Sequence, residues 1–409
     1  MTVLLLAACG DNTATTAPAA TTAAAATTAA AGTTAAAATT AAAAGTTAAA
    51  TTAAGTTAAA TTAAGTTAAA TTAAGTTAAA ATTAAGTTAA AAAGAGKKLK
   101  VGFVTDIGRI DDKSFNQSSW EGVQKYAKEA GTEPKYIETK DTKDYAKHIK
   151  QFLDEKYDVI VTVGFLMADA TTAAAKANPN VLFIGVDQGQ STVINNLAGL
   201  VFEEDKAGFL AAVLAAGMSQ KGKIGGVFGT KSVPAVLRFG EGYKAGATWM
   251  DANQKSLVKA GKTEVTIAYH PDGDNAFSDP TWGAQQTQSL IQAGNDIIFG
   301  GGGSTGNGAV EAAVAAGVFA IGVDTDQYYT LPKAAPKLLS SATKRLADGV
   351  YDLLKAASAG TLKGGNSVGP VGLAPFHDTE AAVPAELKAL ITKVDAGLKD
   401  GTIKTGVKV

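Results

Sequence analysis

The stretch KLKVGFVTDIGRIDDKSFNQ, residues 98–117, sets the reading of the whole chain. Its first part, Lys98 to Thr105, is a continuous run rich in apolar and β-branched residues that passes into Asp106 and a glycine. A charged turn follows, and from Ser114 to Ala130 the apolar residues recur at helical spacing until Gly131 stops them. An apolar run that does not alternate predicts a strand buried on both faces, which is the situation of a parallel strand covered by helices. One strand, one turn and one helix thus predict an α/β unit.

The same unit recurs downstream. YDVIVTVG (157–164) precedes a helix through Met167 to Ala177, and NVLFIGVD (180–187) is the next strand. A long apolar helix, Ala207–Met218, closes this first series. KIGGVFG (223–229) opens a second series, with helices over 238–252, 281–293 and 307–316 between strands TEVTIAYH (263–270), DIIFGGG (296–302) and VFAIGVD (318–324). Two successive series of strand and helix predict two Rossmann-like α/β lobes, each with a parallel sheet. The boundaries expected from sequence are 97–218 plus about 338–358 for lobe 1, and 219–337 plus about 359–409 for lobe 2. The strands end in Asp106, Gly164, Asp187, Gly229 and Asp324. Ligands of open α/β sheets lie beyond the carboxyl ends of strands, so two facing lobes predict a cleft lined by these residues.

The N-terminal portion reads differently. Residues 3–9, VLLLAAC, hold the only cysteine of the chain and match a lipobox, in which the cysteine becomes a lipid-bearing N-terminus. Cys9 is therefore the expected lipidation site, at the end of a truncated lipoprotein signal (1–9). No Lys or Arg precedes it, although secretory signals carry a positive n-region, so the true start is expected further upstream. Stable anchoring takes more than one acyl chain. Residues 10–96 are almost entirely Ala and Thr with spaced Gly. Such a composition cannot bury enough apolar surface to offset the entropy of ordering, so a disordered stalk is expected, with a reach of about 50 Å as a coil. A lipid-anchored head on the extracytoplasmic face of a cell membrane is the location this implies.

Composition removes several functions. The chain carries 34 Lys+Arg against 35 Asp+Glu and has no basic stripe, which argues against nucleic-acid binding. Its histidines, His148, His270 and His377, lack metal-ligand spacing, and no G-x-x-x-x-G-K-[ST] loop is present. No enzyme, metal or cofactor is expected. Gly301 to Gly306 (GGGSTG) satisfies G-x-G-x-x-G, and Asp324 follows at the distance of a ribose-binding acid. Either a dinucleotide site or a tight turn allowing close backbone approach fits that pattern. In both cases Asp324 suits a vicinal diol. Phe115, at the start of the first helix, is placed to stack on a flat ligand or to pack as an ordinary core residue.

Five segments in order carry a resemblance: VGFVTDIGRIDDKSFNQSSWEGV (101–123), LVFEEDKAGFLAAVLA (200–215), VLRFGEGYKAGA (236–247), DIIFGGGGSTGNGAVEAA (296–313) and IGVDTDQ (321–327). Together they resemble the basic membrane protein family of substrate-binding lipoproteins, which includes purine nucleoside receptors. The resemblance implies a type I periplasmic-binding fold with three crossovers, a monomer, a nucleoside ligand and delivery to the permease of an ABC importer. It further implies that Asp106, Asn116 and Asp187 meet the base, that Phe115 and Phe277 stack on its faces, and that Gly302, Asp324 and Lys344 hold the ribose. The segment around Phe277 matches the family pattern least well, leaving Phe239 and Trp282 as alternatives for the second ring. Other functions open to the same fold are a ligand sensor for a different small molecule and, less favoured, a nucleoside-processing enzyme.

Overall fold

A computed structural model describes residues 96–409. The expected signal, the lipidation of Cys9 and nearly all of the Ala/Thr segment lie outside the described residues. The first series of elements is β1 (Val101–Ile107), α1 (Phe115–Ala130), β2 (Lys135–Thr139), α2 (Tyr145–Asp154), β3 (Val159–Val163), α3 (Ala168–Ala177), β4 (Leu182–Val186) and β5 (Leu197–Phe202). The second is α4 (Glu204–Met218), β6 (Lys223–Phe228), α5 (Pro234–Asn253), β7 (Glu264–Tyr269), α6 (Pro280–Gln292), β8 (Ile297–Gly300), α7 (Gly303–Ala315), β9 (Phe319–Asp324), short α8 (Gln327–Thr330) and β10 (Leu338–Lys344). The chain then returns through α9 (Leu346–Ser358), β11 (Gly365–Gly369), β12 (Val371–Leu373) and α10 (Ala385–Asp400).

These strands form two six-stranded sheets, in the orders β11-β5-β4-β3-β1-β2 and β12-β10-β9-β8-β6-β7. All pairings are parallel except β10 with β12. Every residue of β1 and β3 is buried, which is why neither alternates in sequence.

The lobe boundaries differ from those expected. Helix α4 packs with α5, α10, β10 and β12, so it belongs to the second lobe and the first crossover begins at about residue 203. Strand β10 lies in the second sheet, α9 packs on α1 in the first lobe, and β11 is an edge strand of the first sheet. The chain therefore passes between lobes three times: into α4, into α9, and from β11 to β12. Sheet membership depends on distant pairing, which local periodicity does not encode.

Helix ends follow elementary rules. The Asp112 carboxylate accepts from the backbone N–H of Ser114, Asn116 and Gln117 at 2.9–3.0 Å, satisfying the free amides of α1, and Gly131 ends that helix at φ 64°. Helix α4 is apolar on all sides because it is enclosed on all sides. It meets α5 backbone to backbone. A Cβ on Gly208 would sit 2.2 Å from the Phe239 carbonyl oxygen, and one on Gly242 would sit 2.1 Å from that of Asp205.

Candidate functional site

The strand ends build the site. Continuing the β1–β3–β4 register by a residue or two puts Asp106, Gly164 and Asp187 in one row. The β6–β8–β9 register likewise aligns Gly229, Gly302 and Asp324. Each lobe thus offers a row of strand ends, with a glycine in the middle and an acid at one end or both. Asp187 and Asp324 both adopt positive φ, 58° and 66°, which turns the chain sharply at the sheet edge.

Between the two rows lies a cavity with about 600 Å³ of space between protein atoms, its mouth included. Asp106, Phe115, Asn116, Asp187, Phe277, Gly302, Asp324 and Lys344 all line it. Phe115 comes from lobe 1 and Phe277 from lobe 2. Phe277 packs across the second row: a Cβ on Gly229 would lie 2.5 Å from its ring. Of the alternatives for a second ring, Phe239 lines the cavity but is 5% exposed and edge-packed on Phe299. Trp282 packs on His270 and is not part of the lining.

One end of the cavity is a donor–acceptor pair. Asp106 Oδ1 accepts from Tyr145 Oη at 2.6 Å and from the Ile107 N–H at 2.8 Å, which leaves Oδ2 uncommitted. Asn116 Oδ1 accepts from the Asp106 N–H at 3.0 Å, so its Nδ2 is the free donor. Gly164 makes room for the carboxylate, because a Cβ there would sit 1.9 Å from Asp106 Oδ2. Burial raises the Asp106 pKa to about 6, although Tyr145 and the Ile107 amide pull it down.

The other end is charged. Lys344 Nζ, buried, lies 2.5 Å from Asp187 Oδ2 and 3.1 Å from Glu204 Oε1. It also sits over the Phe115 ring at 5.0 Å. Arg238 Nε pairs with Glu204 Oε2 at 2.7 Å. Asp187 Oδ1 is buried and accepts no hydrogen bond among the described residues. Burial pushes Asp187 up to about 7 despite Lys344. Glu204 feels the same burial, but Lys344 and Arg238 outweigh it and hold that carboxyl below its ordinary value. Burial also pulls on Lys344, yet Asp187, Glu204 and Asp324 together keep it above its usual range and charged. Burial raises Asp324, whose Oδ2 accepts from Ser114 Oγ across the lobes at 2.5 Å.

The Gly301–Gly306 motif serves packing and approach. Gly302 stands at φ 97° as the N-cap of α7, and a Cβ on Gly306 would lie 2.5–2.6 Å from the backbone of Gly301. Sequence reading missed Glu204 and Arg238, which sit inside the quoted segments but look like an ordinary helix-start acid and a surface base. It also missed Phe165, 40% exposed, at the cavity's mouth.

Two sheets with three crossovers and a cavity between their carboxyl edges define a two-lobed solute-binding protein. The match of residues 98–370 to the Bmp family, described as ABC transporter substrate-binding protein PnrA-like, shows that the chain belongs to that family. The family so described is one of substrate-binding proteins. A nucleoside-binding protein of an ABC transporter, BmpA of Lactococcus lactis, is 31% identical over 75% of this chain and 88% of its own length. Basic membrane protein A1 of Borrelia garinii is 30% identical over 60% of this chain and 68% of its own. An uncharacterized lipoprotein of Pyrococcus abyssi is 31% identical over 66% of each. Among solved structures, an ABC transporter solute-binding protein from Aeropyrum pernix superposes with a TM-score of 0.66 at 21% identity, covering 75% of this chain and 92% of that one, a likeness of fold. Among the described residues no helix is long and apolar enough to cross a membrane.

Proposed function

We propose that this protein captures a nucleoside, with purines preferred, and passes it to the permease of an ABC importer while lipid on Cys9 holds it at the outer face of a membrane. The observation that carries the reading is a single cavity with a base-reading end, a hydroxyl-reading end and one aromatic ring from each lobe. Asp106 Oδ2 beside Asn116 Nδ2 presents an acceptor next to a donor, which matches the edge of a nucleobase. Phe115 and Phe277 take its faces. Asp324, Lys344 and the backbone at Gly302 take the sugar. Asp187 joins them, since its partner is Lys344, and this moves it from the base contact that the resemblance implied to the diol.

Two further arguments support the ligand class. Asp106 and Asp187 stand two strands apart, roughly 10 Å at the ~4.8 Å strand spacing, a span that suits a bicyclic base with its sugar. The lining holds four acids, Asp106, Asp112, Asp187 and Asp324, against one base, Lys344. A ligand phosphate would meet net repulsion there, which favours nucleosides over nucleotides. The naming of the Lactococcus lactis relative for nucleoside binding agrees.

The test is calorimetric titration of the full chain, unfolded and refolded to strip carried-over ligand, with adenosine, guanosine, inosine, cytidine, uridine and AMP. Tight binding of purine nucleosides, weaker binding of AMP, and losses of about 100-fold in Phe115→Ala and Asp324→Ala are expected. Silence across the panel would overturn the nucleoside reading and leave the fold and family standing.

A further inference from the structure

Glu204 and Arg238 do not line the cavity, yet they continue its charged end into the protein. From Arg238, whose side chain is 30% exposed, the charges alternate inward: Arg238, Glu204, Lys344, Asp187. Glu204 is fully buried in the first turn of α4, where the chain first crosses between lobes. Lys344 ends β10 just before the second crossing. The relay therefore sits at the hinge; its Lys344–Glu204 step is a charge contact without hydrogen-bond geometry, and both Glu204 Oε1 and the terminal Asp187 Oδ1 accept no hydrogen bond among the described residues.

A lysine ammonium is a point charge with three donors on a flexible stem, so its own chemistry does not fix where it points. With Asp187 as its only partner, Lys344 would be drawn toward both carboxylate oxygens and would cover Oδ1. Glu204, 3.1 Å away, draws it back. Arg238 in turn keeps Glu204 ionised and oriented from the lobe 2 side. We infer that Glu204, held by Arg238, is a positioning residue that keeps one donor of Lys344 and the free oxygen of Asp187 available to a vicinal diol. The pair thereby sets discrimination between ribonucleosides and their deoxy counterparts. This inference rests on the nucleoside reading for its ligand but not for the positioning of Lys344.

The experiment uses the full chain with Glu204→Gln, Arg238→Gln and Arg238→Lys. Each variant is titrated with adenosine and inosine and with their 2′-deoxy and 3′-deoxy forms. Both Gln variants should weaken ribonucleosides by about tenfold or more while changing the deoxy forms by less than about threefold, so that the ratio collapses. Arg238→Lys, which keeps the charge, should retain most of the ratio. Parallel loss for all ligands, no loss, or Arg238→Lys behaving like Arg238→Gln would overturn the proposal. A second arm needs no ligand: urea unfolding of Glu204→Gln, Lys344→Met and the double variant should be clearly non-additive. Additivity there would sink the positioning role. If the wild type bound no nucleoside, the functional reading would fall and this cycle alone would decide the role of Glu204.

Discussion

At the scale of single residues, the site depends on which oxygen of each acid is already occupied. Asp106 spends Oδ1 on Tyr145 and on its own turn, and keeps Oδ2. To accept from a base N–H it must be ionised, and burial raises its pKa to about 6. Protonation below that value removes the acceptor, and Asp187, raised to about 7, titrates just above it, so affinity for guanosine and inosine should be highest near pH 8 and fall as pH drops through 7 and 6. Asp106→Asn should bind these ligands about 10–100-fold more weakly at pH 7, the range for losing a charge-assisted hydrogen bond, and should keep only the part of the pH dependence that Asp187 contributes. Titrations from pH 5 to 8 check both statements. All the lining residues named from sequence converge on one cavity, but Asn116, Phe277 and Lys344 were reached only through family resemblance. Composition and spacing alone reach the strand-end residues Asp106, Gly164, Asp187, Gly229 and Asp324, a diol-binding role for the last of these, and one ring, Phe115, near the cleft. Glu204 was illegible because its function lies in its partners: nothing in FEEDKAG separates a buried relay acid from an exposed helix-start acid.

At the scale of elements, sequence was most informative where a strand or helix is long and uniformly buried. β1, β3, β4 and α4 announce themselves because apolar residues run along them without a polar alternation. β2 carries exposed and half-buried residues, and β12 is only three residues long, so neither leaves a periodic trace. The α4–α5 contact depends on glycines that a helix-propensity reading counts as defects. Gly242 is the sharpest case, since any side chain there meets the Asp205 carbonyl. Gly242→Ala should therefore destabilise the protein by about 1–3 kcal/mol, the usual cost of overpacking, despite alanine's better helix propensity. Urea unfolding measures it, and a neutral or stabilised variant would show that the helices can separate without penalty.

At the scale of the molecule, the two lobes meet at a clasp as well as at the cavity. Asn307 Nδ2 donates to the Asp112 carbonyl at 2.7 Å, and Thr330 Oγ1 and Gln327 Nε2 donate to that of Lys113 at 2.9 and 3.2 Å. Lys113 holds positive φ, 61°, so its carbonyl is turned toward lobe 2 by the backbone itself. Neither Asn307 nor Thr330 lines the cavity. Removing both side chains should leave ligand contacts intact while speeding release several-fold, since hinge closure keeps the two rings on opposite sides of the ligand. Stopped-flow dissociation would read this, and an unchanged off-rate would mean that the clasp does not hold the closed form. The threading of the chain also bears on how the protein is made. The first sheet is not complete until β11 joins β5, and β11 is synthesised only after nearly all of the second lobe. Until then the nascent first lobe carries an open edge of unpaired amides and carbonyls, the kind of edge that recruits strands from other chains. Its assembly is therefore bound to a segment near the C-terminus, and a ribosome stalled before Gly365 would leave five of the six strands with a sticky β5 edge rather than a finished lobe.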